Sequence, residues 1–465
     1  MSKTPKRRHP RQSNPLPAQP KPPKLDALAQ INQHAAGLDI GDAEIYAAVP
    51  ESATDSAVRV FRTFTTDLET LADWLAACHV VTVAMESTGV HWILIYELLE
   101  ARGFQVYLVN ARQLKNVSGK KTDILDCQWI QQLHTYGLLQ PSFRPPEELC
   151  ALQALVRQRS RLLQSCTAEI QHMQKALQQM NLQLTNVLSD VTGTTGLAII
   201  RDIMAGERDP HKLAAYRDPH CKKSEAEIAA ALTGHYKPEH VFALRQALQA
   251  YDFFGQQITA CDQEIAHTYQ TVTPAASRTV PPLPPRARQR IKRQHEPAFD
   301  LRSELYHLAG VDLTTIDGVE ILTAQAVLTK TGVDMSRWPT VKHFTSWLGL
   351  CPENAKTGGK IIKRGTKPSA NRAATALRLA ARGLIHSDSA LGVYCRRMRS
   401  KLGKAQAITA TVHKLARIIY AMLKTKTPYQ DPGADHLEAQ VQERKLKQLQ
   451  RQAKELGYEL TPSAA

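Results

Sequence analysis

Four carboxylates have the types and spacing for chemistry: Asp39, Glu86, Asp123 and Asp126. Asp39 lies near the end of the apolar run AAGLDIG, and Glu86 ends the run VVTVAME. Asp123 and Asp126 are three residues apart, so a helix there sets both on one face of its first turn. Four carboxylates in one small volume repel one another unless cations sit among them. Hard carboxylate oxygens suit Mg2+ or Mn2+. Two such ions stabilise the attacking and leaving oxygens of a displacement at phosphorus, so the chemistry expected is metal-dependent phosphoryl transfer. Any one of these acids also fits a solvated surface position, and Asp123 fits a helix start favoured by the dipole. The reading rests on all four falling at the right element ends.

Convergence needs elements that bring the four positions together. Period-2 alternation and short apolar runs predict strands at 35–41, 43–49, 58–64, 80–86 and 104–110. Helices are expected over 68–78, capped by Thr66 and Asp67, over 91–103, and over 122–137. Three strands, helix, strand, helix, strand, helix is the order of a ribonuclease-H-like sheet, in which the ends of the first and fourth strands are neighbours. The last helix then turns its face to those two ends. The fold class expected is an α/β ribonuclease-H-like (RuvC-like) N-terminal domain, a helical coiled-coil middle segment and a mostly α C-terminal domain.

Pro145-Pro146 ends the first domain, giving it residues 31–144 after a basic, Pro-rich arm over 1–30. Beyond the prolines, apolar residues recur at 149, 152, 156, 163, 166, 170, 173, 177, 180 and 184, with Arg159 as the one break. A second series, Val241, Leu244, Leu248, Tyr251, Ile258, Ile265 and Tyr269, is interrupted at Gly255 and Asp262. Spacings of three and four predict a coiled-coil segment over 145–275, paired either as an antiparallel hairpin in one chain or between two chains. A Pro-rich basic linker over 276–299 follows, then a helical domain over 300–428 and a charged helical tail over 429–465.

Of 465 residues, 59 are Lys or Arg and 43 are Asp or Glu, a formal charge of +16. The windows 1–24, 278–293 and 356–426 hold 30 of those bases and a single acid, Asp388, leaving the remainder at −13. A mildly acidic body with three basic segments calls for a polyanionic partner, nucleic acid before an acidic membrane surface. KTGGKIIKRGTKPSANR, over 356–372, reads as a Gly-punctuated basic loop that brings Lys360, Lys363, Arg364, Lys367 and Arg372 to phosphates. It lacks the GxxxxGK[ST] pattern of a nucleotide-binding loop. Arg396, Arg397 and Arg399 crowd one later helix; Lys414 and Arg417 lie off the apolar seam Ile408, Val412, Leu415, Ile419 and Met422 of another. A solvated basic face explains such density poorly, because like charges repel without a polyanion.

Several features read as structural. Gly318 in IDGVEILTAQAVL fits either a helix-hairpin-helix turn against phosphate or the packing of a helical hairpin. His91 and the Cys78-His79 pair fit core or cap positions. The eight cysteines show no CxxC or zinc spacing, and no apolar run reaches the ~18 residues of a membrane span.

GLDIGD, AMESTGVHW and KKTDILDCQW together resemble the Asp-Glu-Asp-Asp (DEDD) domain of RuvC-like transposases, specifically the insertion-sequence "one-ten" family and its "eleven-eleven" subgroup. The resemblance continues through IDGVEILTAQAVL, WLGLCPENAKTGGK and TKPSANRAATALRLAA, over nearly all of 31–427. It implies a recombinase that inserts and excises its element in double-stranded donor and target DNA, guided by a structured non-coding (bridge) RNA. It also implies a C-terminal transposase domain, an Mg2+ site at the four acids, and a homo-oligomer, dimer or tetramer, in which the acidic site of one subunit serves the hydroxyl of another. The expected home is the bacterial cytoplasm, at the nucleoid, with no membrane partner. Where the family carries a nucleophilic serine this chain has Thr357, whose hydroxyl can attack phosphorus although its β-methyl crowds the oxygen. Ser346 and Ser369 are nearby hydroxyls outside the matching position. Two rivals share these residues: a RuvC-like structure-selective endonuclease with water as nucleophile, and a non-catalytic architectural nucleic-acid-binding protein.

Overall fold

The computed structural model describes residues 28–461 apart from 88, 115–122, 274–282, 284–294, 353–354, 359, 364 and 367–370. Most of the expected basic arm and of the expected linker lies outside the described residues. The chain divides into two compact units, residues 1–144 and 145–465.

In the first unit five strands form one mixed sheet, β1 (Ala35–Ile40), β2 (Glu44–Ala48), β3 (Val58–Arg62), β4 (Thr82–Glu86) and β5 (Gln105–Val109). The spatial order is β3-β2-β1-β4-β5; β1 to β3 pair antiparallel, while β1–β4 and β4–β5 are parallel. This arrangement is consistent with a ribonuclease-H-like domain. Side chains alternate across the pleat. Leu38, Ile40, Val83 and Met85 point to the face covered by α1 (Thr65–Ala77) and α2 (Trp92–Ala101), where they pack with Leu71, Leu75, Ile95 and Leu99. Ala84 and Val109 point to the opposite face, under Ile130 and Leu133. These two belong to α4 (Asp123–Thr135), which follows a short turn of helix, α3 (Ala111–Leu114). One expectation is corrected. The α1 helix begins at Thr65, so Thr66 and Asp67 lie inside its first turn, and no side chain caps it. Asp67 instead pairs with Arg62 at 3.3 Å.

The second unit opens with α5 (Glu147–Gln179), then α6 (Leu184–Val187), α7 (Thr194–Ala205), α8 (Pro210–Ala214), α9 (Glu225–Ala231) and α10 (Pro238–Val272). The helices α5 and α10 pack against each other within one chain and run antiparallel. Residues 155–159 of α5 meet 261–262 of α10, while Met173 and Leu177 share a core with Val241, Leu244 and Leu248. The apolar series over 149–184 is not one helix: it stops at Gln179, and Met180, Leu182 and Leu184 turn into the small core closed by α6 to α9. Two of the three heptad interruptions are each other's partners. Arg159 and Asp262 are both buried and form a two-pronged ion pair, with Arg159 Nη1 also donating to His295 O at 2.9 Å and Asp262 Oδ2 accepting from Ala298 N at 3.1 Å. A charge removed from water needs such full satisfaction to be tolerated.

The chain continues through α11 (Leu301–Ala309), α12 (Ile321–Thr331), α13 (Val341–Trp347), a hairpin of β6 (Ala355–Thr357) and β7 (Lys360–Lys363), α14 (Arg372–Gly383), α15 (Ala390–Leu402), α16 (Lys404–Thr425) and α17 (Ala434–Glu455). Of the α16 seam, Val412, Leu415, Ile419 and Met422 are buried and Ile408 is half-buried, with Lys414 and Arg417 exposed. Gly318, at φ +80°, lies where a Cβ would strike Leu384 and the Ala380 carbonyl. Its close approach is to α14, which makes it a packing glycine. Along α17 no residue is buried.

Candidate active site and nucleic-acid interface

The register of β1 and β4 runs Ala35↔Thr82 to Leu38↔Met85, so the next residues on the two strands, Asp39 and Glu86, stand side by side. By alternation both point to the face that carries α4, the face of Gly37 and Ala84. Gly37 is required there: a Cβ would fall 2.2 Å from Gln131 N and 2.4 Å from Cys127 O. This close approach lets α4 lie directly on β1.

The direction of α4 is fixed at its other end. Asn32 Nδ2 donates to His134 O at 2.7 Å, and Ile31 N donates to Thr135 O at 2.9 Å. Thr82 Oγ1 donates to Gln105 O at 3.1 Å and lies 2.8 Å from His134 Nε2, so the imidazole carries its proton on Nε2 and donates to Thr82. The end of α4 thus sits at the strand starts, and its first turn, with Asp123 and Asp126, sits at the strand ends with Asp39 and Glu86.

Electrostatics report the same grouping. The buried Cys127 thiol is pushed up to about 12, first by burial and then by the charge of Asp39, with Asp126 adding to it. The Tyr46 hydroxyl, opposite Asp39 in the β1–β2 register, is raised chiefly by its hydrogen bond to Glu44, then by burial and by the charges of Glu44, Asp123 and Asp39. Asp39 therefore acts on neighbours it shares with both helical acids. Asp39, Glu86 and Asp126 are half-buried and Asp123 is exposed. Among the described residues, no three His, Cys, Asp or Glu side chains stand close enough to hold a metal ion as they are. The donor chemistry still fits a hard divalent cation: four carboxylates from two strand ends and one helix start.

The basic candidates lie in the second unit. The stretch expected as a loop is a two-stranded hairpin: β6 pairs antiparallel with β7, Thr357 opposite Lys360, around a turn in which Gly358 has φ +53°. Paired residues share a face, so Thr357 and Lys360 look out from one side of the ribbon, while the register shifts between Ala355 and Lys356 and leaves Ile362 without a strand partner. All three are exposed, Ile362 at 69%. Arg364, Lys367 and Ser369 lie outside the described residues, and Lys363 is described only as a strand position. Arg372 is the first residue of α14, whose N-cap Asn371 accepts from Ala373 N and Ala374 N. On α15, Arg397 and Arg399 are exposed, whereas Arg396 Nη1 donates to Ile385 O and Ser387 O at 3.2 and 2.6 Å and holds the preceding turn.

Residues 36–182 match a family model described as "Transposase", the DEDD domain of IS110 transposases, and residues 311–395 match "Transposase IS116/IS110/IS902 family". Two stretches of the chain are thus similar to domains of IS110-type transposases. Among curated proteins, the insertion element IS110 uncharacterized 43.6 kDa protein of Streptomyces coelicolor is 30% identical over 142 residues. The match takes in 30% of this chain and spans about a third of the relative's length, 34%.

The first IS110-type match contains all four acids, and the second contains Thr357, the hairpin, α14 and Arg372. Sequence reasoning gave His91 a core or cap role. Its ring is 42% exposed and makes no capping bond; Nδ1 lies 3.7 Å from Asp42 Oδ1 in the β1–β2 turn, at the same end of the sheet as Asp39. The signal was its place in the ESTGVHW motif, five residues after Glu86. Ile362 was missed because a pair of apolar residues between lysines, Ile361-Ile362, gives no sign of which one faces outward.

Proposed function

We propose that the protein is a DNA transposase that cuts and rejoins strands at the ends of an insertion sequence. The observation that carries this reading is the side-by-side placement of Asp39 and Glu86 under the acidic first turn of α4, inside a segment matching the IS110 DEDD domain. Asp39, Glu86, Asp123 and Asp126 would hold Mg2+ or Mn2+. Such ions, when bound, supply charge stabilisation to the oxygens exchanging at phosphorus.

The chain's own residues divide the remaining work. Lys360 beside Thr357, with Arg372 at the start of α14, would seat the phosphodiester by charge and hydrogen bonding. Thr357 Oγ would then attack phosphorus: the Oγ–P bond forms as one P–O bond of the strand breaks, Oγ loses its proton, and the departing strand end gains one. Attack by a second strand's hydroxyl on the Thr357 phosphodiester reverses the exchange and releases the threonine. Donor and target double-stranded DNA are the substrates in this reading, and a structured bridge RNA the guide, as in the "eleven-eleven" subgroup. The resemblance further suggests a homo-oligomer in which the acids of one subunit serve the threonine of another, in a bacterial cytoplasm.

The deciding experiment traps the covalent intermediate. Protein loaded with Mg2+ and mixed with DNA carrying the element's ends should give an SDS-stable protein–DNA adduct. The adduct should survive Thr357→Ser and vanish in Thr357→Ala and in Asp39→Asn. Cleavage that persists in Thr357→Ala points instead to water as nucleophile and a structure-selective nuclease. Binding without any scission leaves only an architectural role.

A further inference from the structure

Two arginines on α5, two residues apart, have opposite fates. Arg159 is buried against Asp262. Arg157 is exposed on a neighbouring face. That face meets α12: Leu149 lies under Gly332, and Gln153 Nε2 donates to Thr329 O at 2.7 Å. Arg157 is one turn beyond Gln153, and Lys330 follows Thr329. Helical side chains lean toward the N-terminus, so Lys330 leans back along α12 toward Arg157.

A third cation arrives from α14. The turn before α12 sits at the end of α14, with Gly318 against Ala380 and Leu384, so the two helices run antiparallel. The end of α12, with Lys330, therefore sits at the start of α14, with Arg372 as its first residue. The ammonium of Lys330 is half-buried, and burial first, then Arg157, hold its pKa below the ordinary lysine value; Cys150 acts the other way, and Arg372 adds the smallest lowering. Among the described residues, none of the three forms an ion pair with a carboxylate. Packing thus gathers three like charges, plus the positive end of a helix dipole, with no ion-paired carboxylate among the described residues.

We infer that Arg157, Lys330 and Arg372 form a phosphodiester-binding site, built at the junction of α5, α12 and α14. The inference rests on the nucleic-acid reading above and extends it to α5 and α12, which hold none of the basic residues already proposed. The ligand is a backbone phosphate of either DNA or RNA. Arg157 and Arg372 offer planar forks to its oxygens, and Lys330 stands behind them as a less hydrated point charge.

The test is a salt series of fluorescence anisotropy on the full chain, with a labelled DNA duplex and, separately, a labelled RNA hairpin. Each lost phosphate contact lowers the slope of log affinity against log salt by about 0.9 on duplex DNA and about 0.7 on single strands. The double variant Arg157→Gln, Lys330→Gln should flatten the slope by roughly two contacts on at least one polymer. Arg157→Lys should keep it. Loss on the duplex alone identifies DNA as the source of the phosphate, loss on the hairpin alone RNA, and loss on both a shared track. Arg157→Gln by itself, at an exposed position, should flatten the slope by about one contact and leave the unfolding midpoint unchanged, which separates binding from folding. Unchanged slopes in both variants, with Lys360→Gln still flattening the curve, overturn this site and leave the transposase reading standing. A wild-type chain whose binding does not respond to salt overturns both.

Discussion

The acidic end of the first unit and the basic ribbon of the second gather opposite charges by opposite means. The carboxylates sit on a rigid frame. Two are at the ends of paired central strands, and two are on a helix pinned to β1 by the absence of a side chain at Gly37. The bases sit on long side chains, exposed on a two-stranded hairpin and on outward helix faces. Chemistry at phosphorus needs atoms held within fractions of an ångström, whereas attraction of a polyanion needs charge and reach. The contrast predicts effects that are all-or-none at the acids and graded at the bases.

Asp39→Asn should break strand scission most severely, by on the order of a thousandfold, with binding of the same duplex unchanged in an anisotropy assay. Equal losses of binding and cleavage would erase the distinction between the two regions. Asp262→Ala should act on folding instead. It strands a buried guanidinium, and the second unit should lose about 3–5 kcal/mol, read as a fall in its denaturant midpoint. Replacing Arg159 and Asp262 together by apolar residues of similar size should recover most of that loss.

How much of this was legible follows the range of each interaction. The five strands were readable to within one or two residues, since alternation and apolar runs are local. So was the phase that sets Asp39 and Glu86 on one face. The correction at Asp67 shows the limit: Arg62 competes for its carboxylate, and the helix starts two residues before that acid. Arg159 and Asp262 were visible only as two separate interruptions, because sequence spacing along one helix carries no sign of what faces it.

A weaker effect concerns pH. Burial lowers the pKa of His134 to about 4. The unfolded imidazole titrates near 6.5, so the unfolded state takes up the proton first as pH falls. The stability from keeping His134 neutral is fully present above about pH 6.5 and is lost between there and about 4. The loss amounts to about 3 kcal/mol in the first unit. Thermal unfolding across that window should show the decline, and His134→Gln should flatten it. The smallest effects belong to single bases. Lys360→Gln or Arg397→Gln should lower the salt slope of duplex binding by about 1 each, evenly across sequences. A sequence-dependent loss would give the ribbon a part in base reading and blur the contrast.

By itself the sequence determined which residue types were available and how each segment would be patterned. It carried four acids at element ends, three windows of bases, and a threonine before two glycines. Those properties depend on neighbours within a few positions. Only the tertiary structure decided which charges meet. It paired Arg159 with Asp262 across two helices, set Arg157 with Lys330 and Arg372, and turned the basic loop into a ribbon with Ile362 outward. Electrostatic energy depends on distance and burial, and both are properties of packing that spacing along the chain does not contain.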